Sequence, residues 1–268
     1  MHKYVFVLSL PYSGSTVLWR LLSTSPTASS HPVEGQTLPG VKQIVWERRW
    51  EPDHKLPWED IKQKWEQAWD MTKPVLLEKS PPHIIRAFDI ERVFLPAYFI
   101  VMIRDPYAFC EGVRRRDRVD VRSGAEFWAR CATYQVRNIE GLKNVIYFKY
   151  EDFADDPASA KDQILDFIPE LQHLDITASF DARSIKGRGH RIRNFNREKI
   201  SRLCAKDIRD INTVLKQNDH LMTFYGYEYL EPSAGLSIRY FMTTGLPKTL
   251  KALSQASKVK VRLRNRRH

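Results

Sequence analysis

The chain predicts an α/β fold on a parallel sheet, on three observations. Four short apolar runs alternate with segments whose apolar residues recur at helical spacing, the pattern of strands joined by crossover helices. The first run, residues 4–10, places Val5, Phe6, Val7 and Leu8 in succession, as a strand covered on both faces requires. No Pro/Gly/Ser-rich linker divides the 268 residues, so one domain is expected.

The elements follow in order. After the first strand, Pro11-Tyr12-Ser13-Gly14 makes a turn, and Val17, Leu18, Leu21 and Leu22 then share a helix face, with Ser15 or Thr16 available as its cap. Residues 23–57 read as irregular. Residues 58–71 form a helix by the stripe of Trp58, Ile61, Trp65, Ala68 and Trp69. Val75-Leu76-Leu77 is the second strand, closed by Glu78-Lys79-Ser80-Pro81-Pro82, and residues 83–94 are a helix. Residues 97–103 form the third and most apolar strand, after which Asp105 caps a helix with Pro106 at its first position. Helices over residues 106–116 and 125–142 lead to a fourth strand at 145–149. Residues 157–167 are helical, and beyond a basic loop at 183–193, residues 197–216 read as one amphipathic helix.

Composition narrows the function classes. With 43% hydrophobic, 12% aromatic and 28% charged residues, the chain has a core to bury and is not a disordered one. The longest apolar run, about ten residues at 94–103, is too short to cross a bilayer, and no signal peptide is evident at the start. Cys110, Cys131 and Cys204 are few, odd in number and scattered, which argues for a cytoplasmic protein without a disulfide framework or zinc site. Net charge is +11, but residues 248–268 hold eight Lys/Arg and no acid, leaving +3 for the rest. Residues 1–231 are therefore read as the domain and 232–268 as a basic extension, suited to a disordered arm, a weak membrane-surface or anionic-substrate contact or a solubilising end rather than to a primary nucleic-acid role.

The ends of the strands carry the chemistry. Ser13-Gly14-Ser15-Thr16 offers successive backbone N–H groups and hydroxyls at a helix N-terminus, a nest suited to phosphate or sulfate. A Walker A loop it is not, because GxxxxGK[ST] is absent. Lys79 follows the second strand and Arg104 the third, so three consecutive strand ends offer anion ligands at one edge.

Pro11-Tyr12-Ser13-Gly14-Ser15-Thr16, Glu78-Lys79-Ser80-Pro81, Ile103-Arg104-Asp105-Pro106 and Tyr150-Glu151-Asp152-Phe153, in this order and spacing, resemble the sulfotransferases that use 3′-phosphoadenosine 5′-phosphosulfate. The pattern is closest to the bacterial and tyrosine-sulfating branches and spans roughly residues 3–230. The resemblance implies a P-loop-like sheet of about five strands flanked by helices. It implies that Ser13, Gly14, Ser15 and Thr16, with Tyr12, cradle the phosphosulfate, that Arg104 holds the 3′-phosphate, and that Tyr150 contacts adenine. Arg116 matches a second basic ligand, with Arg115 its nearest competitor, and Lys186, Gly187 and Arg188 resemble a basic loop that closes over the 3′-phosphate.

Three positions depart from the family pattern. Tyr12 stands where most members have a cation, Gly112 where they have a serine ligand, and Ile185 where the basic loop has its leading arginine. Lys79 would then carry more of the charge on the group transferred. The branch that sulfates tyrosine places a glutamate base after a His-Pro-like turn, and His31-Pro32-Val33-Glu34-Gly35 fits it, with Glu34 as base and His31 as the alternative. The activity implied is transfer of a sulfuryl group to a hydroxyl, ranked ahead of an amine, of an acceptor whose class stays open, with no metal required. A P-loop-type nucleotide kinase and a nucleic-acid-binding protein acting through its tail are the rival readings. Among the tryptophans, Trp58, Trp65 and Trp69 suit packing, whereas Trp46 and Trp50 could serve either packing or an acceptor platform.

Overall fold

Apolar side chains on both faces of β1 (Lys3–Ser9) place that strand in the middle of the molecule. In the computed structural model, which describes residues 2–179 and 191–232, the sheet has five parallel strands in the order β2-β3-β1-β4-β5. These are β2 (Ala28–Ser30), β3 (Val75–Glu78), β4 (Ala97–Ile103) and β5 (Val145–Lys149) around β1. Strand alternation divides the core. Tyr4, Phe6 and Leu8 face one layer with Leu76, Phe99 and Val101, while Val5 and Val7 face the other with Leu77, Ile100 and Met102.

The first layer is covered by α3 (Trp58–Ala68) and the long α6 (Val121–Gly141). The second is covered by α1 (Ser15–Leu22) and α8 (Pro157–Phe167). Leu18, Leu21 and Leu22 of α1 are fully buried, each worth about 1.5–3 kcal/mol in apolar transfer. The connection leaving β1 runs toward β2 and the one leaving β4 runs the other way toward β5, which opens a crevice between the carboxyl ends of β1 and β4.

Three features differ from expectation. Within residues 23–57 a three-residue strand, β2, pairs with Val75, Leu76 and Leu77, and a short α2 (Lys42–Val45) follows it. Ala28-Ser29-Ser30 lacks the apolar alternation of a strand and is recruited by the open edge of β3, while Ser29 Oγ accepts the Asp70 N–H at 2.8 Å. The helix expected at 83–94 is a 3₁₀ turn, Pro81–Ile85, followed by α4 (Ala87–Val93). Between them, buried Arg86 departs from helical geometry and donates to the carbonyls of His54 and Glu51 at 2.6 and 2.7 Å.

The amphipathic stretch at 197–216 is likewise two helices, α9 (Asn196–Ile200) and α10 (Ala205–Gln217), counting α5 (Pro106–Asp117) and α7 (Tyr150–Asp155) before them. Asp207 reaches back to accept the Cys204 N–H at 2.8 Å and starts α10 afresh, although apolar spacing runs through the break. The last helix is α11 (Asp219–Tyr225). No helix among the described residues is long and apolar enough to cross a membrane. Lys186, Gly187 and Arg188, and the extension beyond residue 232, lie outside the described residues.

Candidate active site

The turn between β1 and α1 owes its shape to two left-handed residues, Tyr12 at φ 61° and Gly14 at φ 90°. Gly14, rather than Ser15 or Thr16, is the N-cap of α1, and its carbonyl accepts from Val17 and Leu18 at 2.9 and 3.1 Å. The backbone N–H groups of Ser13, Gly14, Ser15 and Thr16 make no hydrogen bond among the described residues. Four adjacent free donors at the positive end of a helix have the geometry that suits an anion.

Lys79, one residue past β3 and only 5% exposed, points into this turn. Its amine approaches Thr16 Oγ1 at 3.4 Å and pairs with the Glu34 carboxylate, whose other oxygen accepts from Gln36 Nε2 at 2.6 Å. The segment carrying Glu34 is tethered through buried Glu78, which accepts the Gly35 N–H at 2.9 Å. Burial alone would raise the Glu78 carboxyl, but hydrogen bonds from His83 and Ser80, with the charge of His83, hold it below its ordinary value. Within this network Lys79, Glu34 and Thr16 were legible as site residues in the sequence, whereas Gln36, Glu78 and His83 were not.

His31 is brought close in sequence to Glu34 but plays a different part. It is 1% exposed, stacks on Trp69 at 4.5 Å, and neither ring nitrogen has a partner. Burial lowers its pKa, which keeps the ring neutral.

Arg104, immediately after β4 and 4% exposed, donates from Nε to Asn196 Oδ1 and from Nη1 to the Tyr12 carbonyl, both at 2.8 Å. Its guanidinium lies 4.0 Å from the centre of the Tyr150 ring, and Nη2 is buried without a partner. Tyr150 is held in turn by its hydroxyl, which donates to the Arg193 carbonyl at 2.9 Å and accepts the Phe195 N–H at 3.2 Å. Tyr12 is turned aside: its hydroxyl donates to Asp117 at 2.6 Å, and Arg116 stands 5.6 Å above its ring. Gly112, also buried, faces Lys199, whose Nζ would lie 2.7 Å from a Cβ at that position. Sequence reading overlooked Lys199, because a lysine on an amphipathic helix is ordinarily solvated.

A small cavity of about 20 Å³, partly open to solvent, lies beside Gln36 and is lined by Trp58, Ile61, Trp65, Ser80 and His83. Trp58, Trp65 and Trp69 are buried, as their helical stripe predicted. Trp46 is exposed beneath Arg49, whose guanidinium lies at 4.1 Å, and Trp50 packs edge-on against Phe127 at 5.0 Å.

This edge places the chain in the class of α/β domains that hold an anionic group between a strand–turn–helix junction and cations from neighbouring strands. Within that class the family is definite. The model of the Sulfotransferase family matches residues 5–172, and the chain belongs to that family. It is a sulfotransferase. The fold agrees with that of the sulfotransferase domain of the Synechococcus PCC 7002 olefin synthase, with a TM-score of 0.52 at 18% identity over 79% of this chain and 94% of that one. Mouse sulfotransferase SULT7A1, solved in complex with PAP, superposes with a TM-score of 0.54 at 14% identity over 84% of this chain and 89% of that one. No curated protein sequence matches the chain.

Proposed function

We propose that the enzyme transfers the sulfuryl group of 3′-phosphoadenosine 5′-phosphosulfate to a hydroxyl acceptor. The observation that carries the reading is the meeting of Lys79 with Glu34 and Thr16 beside four unpartnered N–H groups. A cation for the leaving group and a carboxylate for the incoming proton then share one point. The donor's phosphosulfate sits on the N–H groups of Ser13 to Thr16, and its 3′-phosphate on Arg104, with Arg116 nearby. A planar guanidinium with a free Nη2 suits a phosphate, and the mouse relative was solved with PAP.

In the reaction the acceptor oxygen forms a bond to sulfur as the bond from sulfur to the bridging phosphate oxygen breaks. The acceptor's proton passes to Glu34, and the leaving 3′-phosphoadenosine 5′-phosphate gathers its new charge toward Lys79 and the amides. Glu34 rather than His31 is the base, since His31 is buried under Trp69 while Glu34 stands with Lys79. Residues 1–231 form the catalytic unit in this reading, in a cytoplasmic setting.

The test is calorimetric titration with 3′-phosphoadenosine 5′-phosphate, followed by mass spectrometry of acceptor panels incubated with labelled donor. Micromolar binding and an acceptor gaining one sulfate are expected. Absence of nucleotide binding overturns the donor, and phosphate transfer from ATP would revive the kinase.

A further inference from the structure

Lys199 lies on α9, which packs against α5, and is 9% exposed. Its amine makes no hydrogen bond or ion pair among the described residues. Arg104 offers a second unpartnered donor: it is also buried, and its Nη2 lacks a partner although Nε and Nη1 are bonded. A polar donor taken out of water costs free energy unless it is paired, so an amine and a guanidinium N–H that both lack partners mark a place suited to an anion.

The position of the amine is specific. A Cβ on Gly112 would fall 2.7 Å from Lys199 Nζ and 3.5 Å from Tyr12 Cβ, so the lysine uses space that any side chain at position 112 would need. Tyr12 in turn gives its carbonyl to Arg104 Nη1. Gly112, Arg104 and Lys199 are therefore all neighbours of Tyr12 or of one another, and Arg104 lies close enough to Lys199 to act on its charge.

We propose that Lys199 is a direct ligand of the donor's 3′-phosphate, its amine taking the place of a side chain at position 112. This rests on the reading of Arg104 as the other ligand of that phosphate. It explains how the site bears Gly112 where a hydroxyl would ordinarily serve: the ligand arrives from α9 instead of α5. Charge around the amine agrees. Burial, with Arg104 at the end of β4 and Arg115 and Arg116 on α5, pushes its pKa down to about 6, opposed by Glu111 of α5. Glu111 is itself engaged by Arg202 at 3.1 Å and Arg115 at 3.6 Å. Without nucleotide the amine is mostly neutral near pH 7.5, and an arriving phosphate dianion draws a proton onto it.

The experiment compares 3′-phosphoadenosine 5′-phosphate with adenosine 5′-phosphate, which lacks only the 3′-phosphate. Lys199→Met is expected to weaken the first by about tenfold or more and leave the second within about twofold. Equal losses on both nucleotides, or no loss on either, overturn the assignment. In the unaltered enzyme, binding enthalpies in two buffers at about pH 7.5 are expected to show uptake of about one proton with the 3′-phosphorylated nucleotide and none with the other. Equal uptake with both overturns it without any variant. If the unaltered enzyme does not distinguish the two nucleotides, the reading of Arg104 fails instead.

Discussion

The ring of Tyr150 lies directly over Gly14: a Cβ built on the glycine would stand 2.5 Å from Tyr150 Cδ2. The same ring stacks on Arg104 on its way. One tyrosine at the end of β5 thus holds the turn after β1 and the arginine after β4 in register, across three neighbouring strands of the sheet.

Gly14→Ala is therefore expected to be costly twice over. The left-handed φ of 90° disfavours any L side chain, and the methyl meets a ring anchored at its hydroxyl. A loss of about 2 kcal/mol or more is expected in urea unfolding, with nucleotide affinity falling in parallel. Wild-type stability in the variant would disprove the close approach.

Arg104→Lys keeps the charge but loses the planar fork that serves Asn196, Tyr12 and a third partner at once. Nucleotide affinity should drop about 10- to 100-fold, read by calorimetry. An unchanged affinity would show that Arg104 is a structural group only.

Glu34→Gln removes the proton acceptor while keeping the shape. Turnover should fall at least about 100-fold with nucleotide binding nearly unchanged, and Lys79→Ala should likewise cut turnover more than affinity. His31→Phe, which preserves the stack on Trp69, should leave turnover within about threefold. The reverse ranking of Glu34 and His31 would exchange their roles.

Asp105 sets a pH dependence of stability. Burial and then the neighbouring Glu151 push its carboxyl up to about 7 from 3.8. The folded chain thus keeps a proton that the unfolded chain releases, and stability contributed at this site declines as pH rises from about 4 to about 7. Asp105→Asn stays neutral and can still accept the Ala108 N–H, so its urea midpoint relative to wild type should rise between pH 5 and pH 7.5. A constant difference across that range would refute the shifted carboxyl.

What could be read without coordinates was whatever local pattern encodes. Continuous apolar runs announced β1, β3 and β4, because a strand buried on both faces needs them, and Asp105-Pro106 announced the start of α5. The strand ends then pointed Ser13 to Thr16, Lys79 and Arg104 toward one edge. Three-dimensional packing settled what pattern does not carry. Ala28-Ser29-Ser30 is a strand only because β3 offers it an open edge, and the break before α10 depends on Asp207 turning back to Cys204. Lys199 is the sharpest case. On an amphipathic helix it reads as solvated, and it becomes a buried amine only when α9 packs over the cleared position at Gly112, setting Nζ 2.7 Å from where a Cβ there would stand. Periodicity describes which face of a helix is apolar; which polar group lies beneath that helix is set by the partner it packs on.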